Sequence, residues 1–262
     1  MSLLQFPAST YDENLLDNLK AELDKICEEI AAQYNLVDRN GRAKKALIID
    51  ALVNNPCLSC AIKELLHTSN DEVDALYREN HSLALNILVE ALRYRLSLEG
   101  LSAIVEGELP GEYGRMDVLI KIVKQGVLIR LRDLVIIVEL KTGLSMSLTQ
   151  LFRYALEYPN SLIVIWRVRL RQLFTLDMAK HGRILLAYIF TIMNRGRALL
   201  DGKFMECKHG GDKGTRNSRI EDPQQVLDEF LEALADTLPE ATAKIVQLIK
   251  EKMIAGGEQV GF

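Results

Sequence analysis

Glu139 and Lys141 stand one residue apart where the apolar run Leu134–Val138 ends. Strand side chains alternate faces, so the carboxylate and the ammonium point the same way, one pleat apart. The run ahead of them is apolar on both faces, which predicts a strand inside a sheet that surfaces only at this end. A charge pair at the mouth of a central strand has the geometry of a site. Upstream, GRMDVLI (114–120) carries one acid, Asp117, near the start of the preceding long strand. Antiparallel pairing through the intervening hairpin would bring Asp117 beside Glu139. Two carboxylates, a backbone carbonyl and water would then form a hard-oxygen nest for Mg²⁺ or Mn²⁺. The plainer alternative for Asp117 is an edge acid pairing Arg115 or Lys121.

Beyond the strand, Gln150 and Tyr154 lie four apart and share one helix face, with Arg153 on an adjacent face. That face could return over the strand end and hold a phosphate backbone, or it could hold a core tyrosine beside an incidental glutamine. Glu90 interrupts an otherwise apolar helix on a narrow polar stripe with Asn86, Arg93 and Ser97. It could add a carboxylate to the cation site or face solvent.

The elements that must position these residues follow from periodicity. Residues 11–35 have helical apolar spacing, Asp38–Gly41 reads as a turn, and a second helix runs from Arg42 to Val53, ahead of Pro56. A third helix covers 58–67, and Ser69 with Glu72 resembles a capping box. These helices form either a cap on the main domain or a helix-turn-helix unit. A long helix is expected over His81–Leu98. Strands follow at Ser102–Leu109, Met116–Val123, Val127–Leu131 and Leu134–Lys141, with turns at Pro110-Gly111 and Lys124–Gly126. After Thr142-Gly143, a helix capped by Ser145 or Ser147 runs to about Glu157. A strand follows at Leu162–Leu170, and two C-terminal helices flank Pro239.

At 262 residues, 48% apolar and 26% charged, the chain is long enough for one large domain, or one with a small appendage. The net charge of −4 excludes a global basic field. Locally the picture reverses. Between Asn160 and Ile220 lie twelve Lys or Arg against four Asp or Glu. WRVRLR (166–171), read as strand, puts Arg167, Arg169 and Arg171 on one face. That suits a phosphate-tracking groove; a basic face that is solvated, or pairs the acidic N-terminal helices, is the alternative. The glycine-rich stretch 208–219 could act as a clamp on DNA. The first sixteen residues have neither a positive n-region nor a long apolar h-region. A cytoplasmic protein with reduced thiols is therefore expected. The stretch 184–193 is about half a membrane span and is bracketed by Arg183 and Arg195, so a buried helix or strand is expected. Cys57 and Cys60 form a single CxxC that Cys207 and His209 could complete as a metal set. Together with Cys27, these are otherwise buried helical thiols.

Taken in order, the helix with Glu90, GRMD around Asp117, VELKTG around Glu139 and Lys141, and QLFRY from Gln150 to Tyr154 resemble the PD-(D/E)XK nuclease superfamily. Within it they resemble the RecB-like branch, which includes exonuclease domains of bacterial recombination enzymes and the RecB-like nucleases of CRISPR adaptation. The resemblance covers roughly residues 81–170. It implies an α/β fold with a restriction-endonuclease-like core, a mixed sheet flanked by helices, spanning 81–220. A helical N-terminal region (1–80) and C-terminal helices (221–262) complete the chain. It further implies DNA phosphodiester hydrolysis dependent on Mg²⁺ or Mn²⁺, in repair, recombination or mobile-element and defence processes. Asp117, Glu139 and perhaps Glu90 would bind the metal, Lys141 would orient the attacking water and balance charge, and Gln150 and Tyr154 would position DNA. Arg153, Arg167 and Arg169 are further candidates for DNA contact.

Iron–sulfur members of that branch carry one cysteine before the core and three after it. Here three precede it and only Cys207 follows, so no cluster is expected. No Walker A motif is present, so any helicase would be a separate partner. A homodimer would suit double-strand cutting. Two other readings stay open: a nucleic-acid-binding or regulatory protein that keeps the fold without cutting, and a helix-turn-helix transcription factor with a structural core.

Overall fold

The computed structural model describes residues 13–55, 72–122, 134–141, 147–203 and 223–257. The expected helix at 58–67, the strand at 127–131 with its turn, the loop 208–219 and Cys57, Cys60 and Cys207 lie outside these residues.

Among the described residues, five strands form one mixed sheet in sequence order: β1 (Ala103–Gly111), β2 (Gly114–Ile122), β3 (Leu134–Lys141), β4 (Leu162–Arg167) and β5 (Gln172–Asp177). All neighbours are antiparallel except β3 and β4, which run parallel and are joined by helix α4 (Leu148–Glu157). Parallel neighbours need such a crossover, which leaves the C-terminal ends of β3 and β4 and the start of α4 at the same rim of the sheet. Ile136 to Leu140 are all buried, as expected of a central strand.

Alternation sorts the sheet's side chains into two cores. Leu119, Ile137, Ile163 and Ile165 pack with α1 (Glu13–Tyr34), α2 (Lys45–Asn54), α4 and α5 (Gly182–Leu200). Val118, Ile120, Ile136, Val138, Val164 and Trp166 pack with α3 (Glu72–Leu98) and α6 (Pro223–Gly257). Each fully buried large aliphatic contributes about 1.5–3 kcal/mol before the entropy of ordering it, so both helical layers are integral to folding. α1 and α2 share the first core with the sheet, and the expected boundary at residue 80 falls inside α3. The stretch 184–193 is buried helix in part, with Leu185, Ile189, Ile192 and Met193 inside. No helix of the described residues is long and apolar enough to cross a membrane.

Three elements differ from expectation for identifiable reasons. β1 runs through Pro110-Gly111 and reverses at Glu112-Tyr113, between the paired Gly111 and Gly114. An edge strand tolerates proline, and Gly114 takes φ 142°, a backbone conformation that favours glycine. β4 stops at Arg167, because Val168–Arg171 form a turn closed by Arg171 N–H donating to Val168 O at 2.8 Å, with Arg171 at φ 52°. The C-terminal segment is one helix with Pro239 inside it. Proline removes a bond to the carbonyl four residues back, but Ala235 and Pro239 both face solvent, where water can serve that carbonyl. The buried stripe of Phe230, Leu234, Ala241, Ile245 and Ile249 keeps the helix on the sheet.

Gly196 marks the tightest crossing of α1 and α5. A Cβ there would lie 2.4 Å from Ile26 Cγ2, on a β-branched side chain with little rotamer freedom. Alanine would gain up to about 1 kcal/mol in helix propensity, while overpacking costs about 1–3 kcal/mol. Gly196→Ala is therefore expected to lower the unfolding free energy in urea titration, and adding Ile26→Leu, which removes the offending branch, is expected to recover part of the loss.

Candidate active site

The site begins where the β2–β3 ladder ends. The last paired residues are Val118 and Val138, so Asp117 and Glu139 lie one residue beyond the ladder on neighbouring strands. Past the end of the ladder, Asp117 Oδ2 accepts from Leu140 N–H at 2.8 Å, taking the place of a strand carbonyl. The Leu140 carbonyl faces His81 Nε2 at 3.2 Å, and the same nitrogen lies 3.4 Å from Asp117 Oδ2.

Glu139 is 1% exposed, and its carboxylate belongs to a closed ring. Lys141 Nζ donates to Glu139 Oε1 at 2.5 Å and to Gln150 Oε1 at 2.7 Å. Gln150 Nε2 donates to Tyr154 Oη at 2.6 Å, and Tyr154 Oη donates to Glu139 Oε2 at 2.6 Å, with the Arg115 carbonyl also in reach at 2.9 Å. The directions follow from chemistry. An ammonium can only donate, so the amide oxygen of Gln150 faces Lys141 and its NH₂ faces Tyr154. The Tyr154 hydrogen must then point to Glu139 or Arg115 O. Ser147 caps α4 by accepting from Gln150 N–H, which places Gln150 in the first turn beside the strand end, with Tyr154 one turn on.

Burial raises the pKa of Glu139 most, and the charge of Asp117 adds to it; Lys141 and Tyr154 offset only part. His81 is also raised: burial, the largest single effect, pulls it down, but the hydrogen bond and charge of Asp117, the Leu140 carbonyl and the charge of Glu139 together outweigh it. Tyr154 is pushed up by burial and by the neighbouring Glu139, so it stays a phenol and a donor.

Other expected site residues fall elsewhere. Glu90 is exposed and pairs Arg93 at 2.6 Å, whose guanidinium bonds the Val105 carbonyl. His81 precedes Glu90 by nine residues, about 180° around an α-helix, so a helix that aims His81 at Asp117 turns Glu90 away. Gln150 and Tyr154 serve the Glu139–Lys141 pair. Arg153 is turned inward, bonding Tyr113 O at 2.6 Å and Asp50 at 3.1 Å, so it braces the β1–β2 turn against α2.

The expected arginine face is broken by the turn after β4. Arg167 keeps its place beside Lys141 in the register, whereas Arg169 and Arg171 bond Glu229 (2.6 Å) and Asp236 (2.8 Å) of α6. Arg195 caps the carbonyls of Leu52 and Val53, and Arg197 pairs Glu22 of α1. Much of the local positive excess is thus spent within the protein, in part on acids of the N-terminal helix. Cys27 lies buried in α1, its thiol pushed up to about 12 by burial first and by Asp24 next, which leaves it unreactive.

His81 is the residue that sequence reading missed. Its signal was a histidine nine residues before Glu90, on the face opposite the polar stripe. Asp117, Glu139, the Leu140 carbonyl and His81 are each groups of the kinds that bind a hard or borderline divalent cation. Among the described residues no three His, Cys, Asp or Glu side chains already converge as a cage, since Glu139 is held by Lys141 and Tyr154. Compared with protein-family models, curated proteins and solved structures, the chain matches none.

The raised pKa of Glu139 has a signed consequence. Between its unfolded value near 4.5 and its higher folded value, the folded chain binds more protons than the unfolded one. This contribution to stability is full below the unfolded pKa and is lost as pH rises through the folded pKa. Glu139→Gln mimics the protonated form. In thermal melts without added metal across about pH 4–8, the variant is expected to gain on the wild type as pH rises.

Proposed function

We propose that the chain is a metal-dependent nuclease of the PD-(D/E)XK type, with a restriction-endonuclease-like core, that hydrolyses DNA phosphodiester bonds. The observation that carries this reading is the buried Glu139–Lys141–Gln150–Tyr154 ring with Asp117 of the adjacent strand bonded to the Leu140 N–H beside it. A buried carboxylate next to a second carboxylate is costly, and four side chains are committed to keeping this one in place. A purely structural core gains more from an aliphatic residue there.

Asp117, Glu139, the Leu140 carbonyl and His81 would hold Mg²⁺ or Mn²⁺. When bound, the ion supplies Lewis-acid polarisation of a phosphoryl oxygen. The chain's own groups do the rest. Lys141 spends two N–H bonds on Glu139 and Gln150, and the third serves a phosphoryl oxygen or the attacking water at the strand mouth. In hydrolysis the water oxygen forms a bond to phosphorus, the ester P–O bond breaks, and a proton passes to the leaving oxygen. Negative charge on the phosphoryl oxygens is met by the Lys141 ammonium, fixed before the reaction by its partners. Tyr154 and Gln150 hold carboxylate and ammonium in register, and Arg167, next to Lys141 across the sheet, extends the positive charge along the rim.

Purified protein and Lys141→Ala, incubated with end-labelled linear and circular DNA, single- and double-stranded, in Mg²⁺, Mn²⁺ or EDTA, test this reading. Metal-dependent cutting is expected, reduced by roughly 10²–10³-fold in the variant. Binding without cutting under any metal would leave a non-cleaving nucleic-acid-binding protein on the same fold.

The two candidate ligands of α3 separate cleanly. His81→Ala is expected to raise the Mn²⁺ concentration needed for half-maximal thermal stabilisation by about 10-fold or more, whereas Glu90→Ala is expected to shift it by less than about 2-fold. Equal effects would return Glu90 to the site.

A further inference from the structure

Resting on that reading, we infer that Phe174 is a stacking platform for an unpaired base flanking the scissile phosphate, with Arg167 and Gln172 in the row beside it that continues from Lys141. The argument is one of register. β3 and β4 pair Glu139 with Ile165 and Lys141 with Arg167; β4 and β5 pair Ile165 with Phe174 and Arg167 with Gln172. Side chains in register share a face. Two rows therefore cross the rim on the site's face: Glu139, Ile165, Phe174 and, one pleat nearer the strand ends of β3 and β4, Lys141, Arg167, Gln172. With strands about 4.8 Å apart, Phe174 stands roughly 10 Å from Glu139 along its row.

Its neighbours set it apart. Ile165 in the same row is buried, and Leu176, two residues along β5, packs into the first core, yet Phe174 is 44% exposed. An aromatic left open on an edge strand invites pairing with another chain, and edges are ordinarily blunted by charge or proline. β1, at the other edge, carries Glu106, Glu108 and Pro110, whereas β5 has no charge before Asp177. Continuity with the Glu139 row and the adjacent Arg167 select a nucleic-acid strand as occupant. A planar apolar ring beside a guanidinium and an amide matches a base and its phosphate, and base–aromatic stacking needs no sequence preference. A base inside a duplex has both faces covered, so this subsite takes an unpaired nucleotide.

The test uses the full chain in the Lys141→Ala background with Mg²⁺, and single-stranded oligonucleotides carrying 2-aminopurine at successive positions. Phe174→Ala is expected to raise the Kd for single-stranded DNA by about 5- to 150-fold and to abolish the quenching of one 2-aminopurine position. It is also expected to lower the single- to double-strand preference. Phe174→Tyr, which keeps the ring, is expected to retain binding and quenching. Phe174→Ala binding within 2-fold of the parent, or equal losses on single strands and duplex, would overturn the inference while leaving the nuclease reading intact. So would a Phe174→Ala change confined to oligomeric state in sizing chromatography, which would make the aromatic a contact between copies. If the protein with Lys141 intact neither binds nor cuts any nucleic acid, both readings fall together.

Discussion

Everything around the rim of this sheet is arranged about one carboxylate that water does not reach. Glu139 follows the buried Ile136, Ile137 and Val138, with a second acid just past the end of the neighbouring strand's ladder, and its charge must be met from within the protein. Lys141 supplies the countercharge, and its side chain is itself only 19% exposed, so it too needs a further partner. Gln150 provides that partner and hands its amide protons to Tyr154, which returns a hydroxyl to Glu139. Removing any member would strand another, and a buried polar group without a partner costs about 1–3 kcal/mol. The ring is therefore a single cooperative unit. Its four members come from one strand end and the first two turns of the next helix, which makes β3–α4 the smallest segment able to carry it.

The remaining donor, Asp117, is delivered from a different direction, and its position depends on the β1–β2 hairpin. The turn of that hairpin is gripped from three sides. The Tyr113 hydroxyl donates to Asp24 of α1, while Lys45 of α2 reaches both Asp24 and Glu112. Arg153 and Glu157 of α4 bond the Tyr113 carbonyl and the Glu112 amide. The N-terminal helices thus act on the site through backbone placement: they fix the strand that carries Asp117. Packing and chemistry are joined at the Arg115 carbonyl, which lies in β2 and within reach of the Tyr154 hydroxyl.

How much of this was legible in the sequence depended on whether a residue acts locally. The apolar run ending at Glu139 and Lys141, the nearby Asp117, the Gln150–Tyr154 spacing and the exposed stripe of α3 all follow from period and turn chemistry, and the structure has them. Residues whose partners are remote could not be read. Nothing local shows that Arg153 will turn inward to Asp50, or that Arg169 and Arg171 will meet acids some sixty residues later in α6. The turn at Val168–Arg171 hides inside a sequence that alternates as a strand would. Glu90 attracted attention because a charge on an apolar helix stands out. His81, earlier in the same helix, marked no such contrast, and only its contacts with Asp117 and the Leu140 carbonyl show which side of α3 faces the site. Proline is a strong local signal, yet at Pro239 the tertiary stripe overrides it because the lost hydrogen bond lies on the wet side.

Hairpin tips are normally the forgiving parts of a chain, where tags, insertions and proteolytic nicks do least harm. Between Gly111 and Gly114 the opposite holds: Tyr113 is 1% exposed, and a side-chain carbon at either glycine would collide with Glu157 or Arg153. For anyone building fusions, split versions or permuted forms of this protein, the tip that looks most expendable on a topology diagram is the one to leave alone.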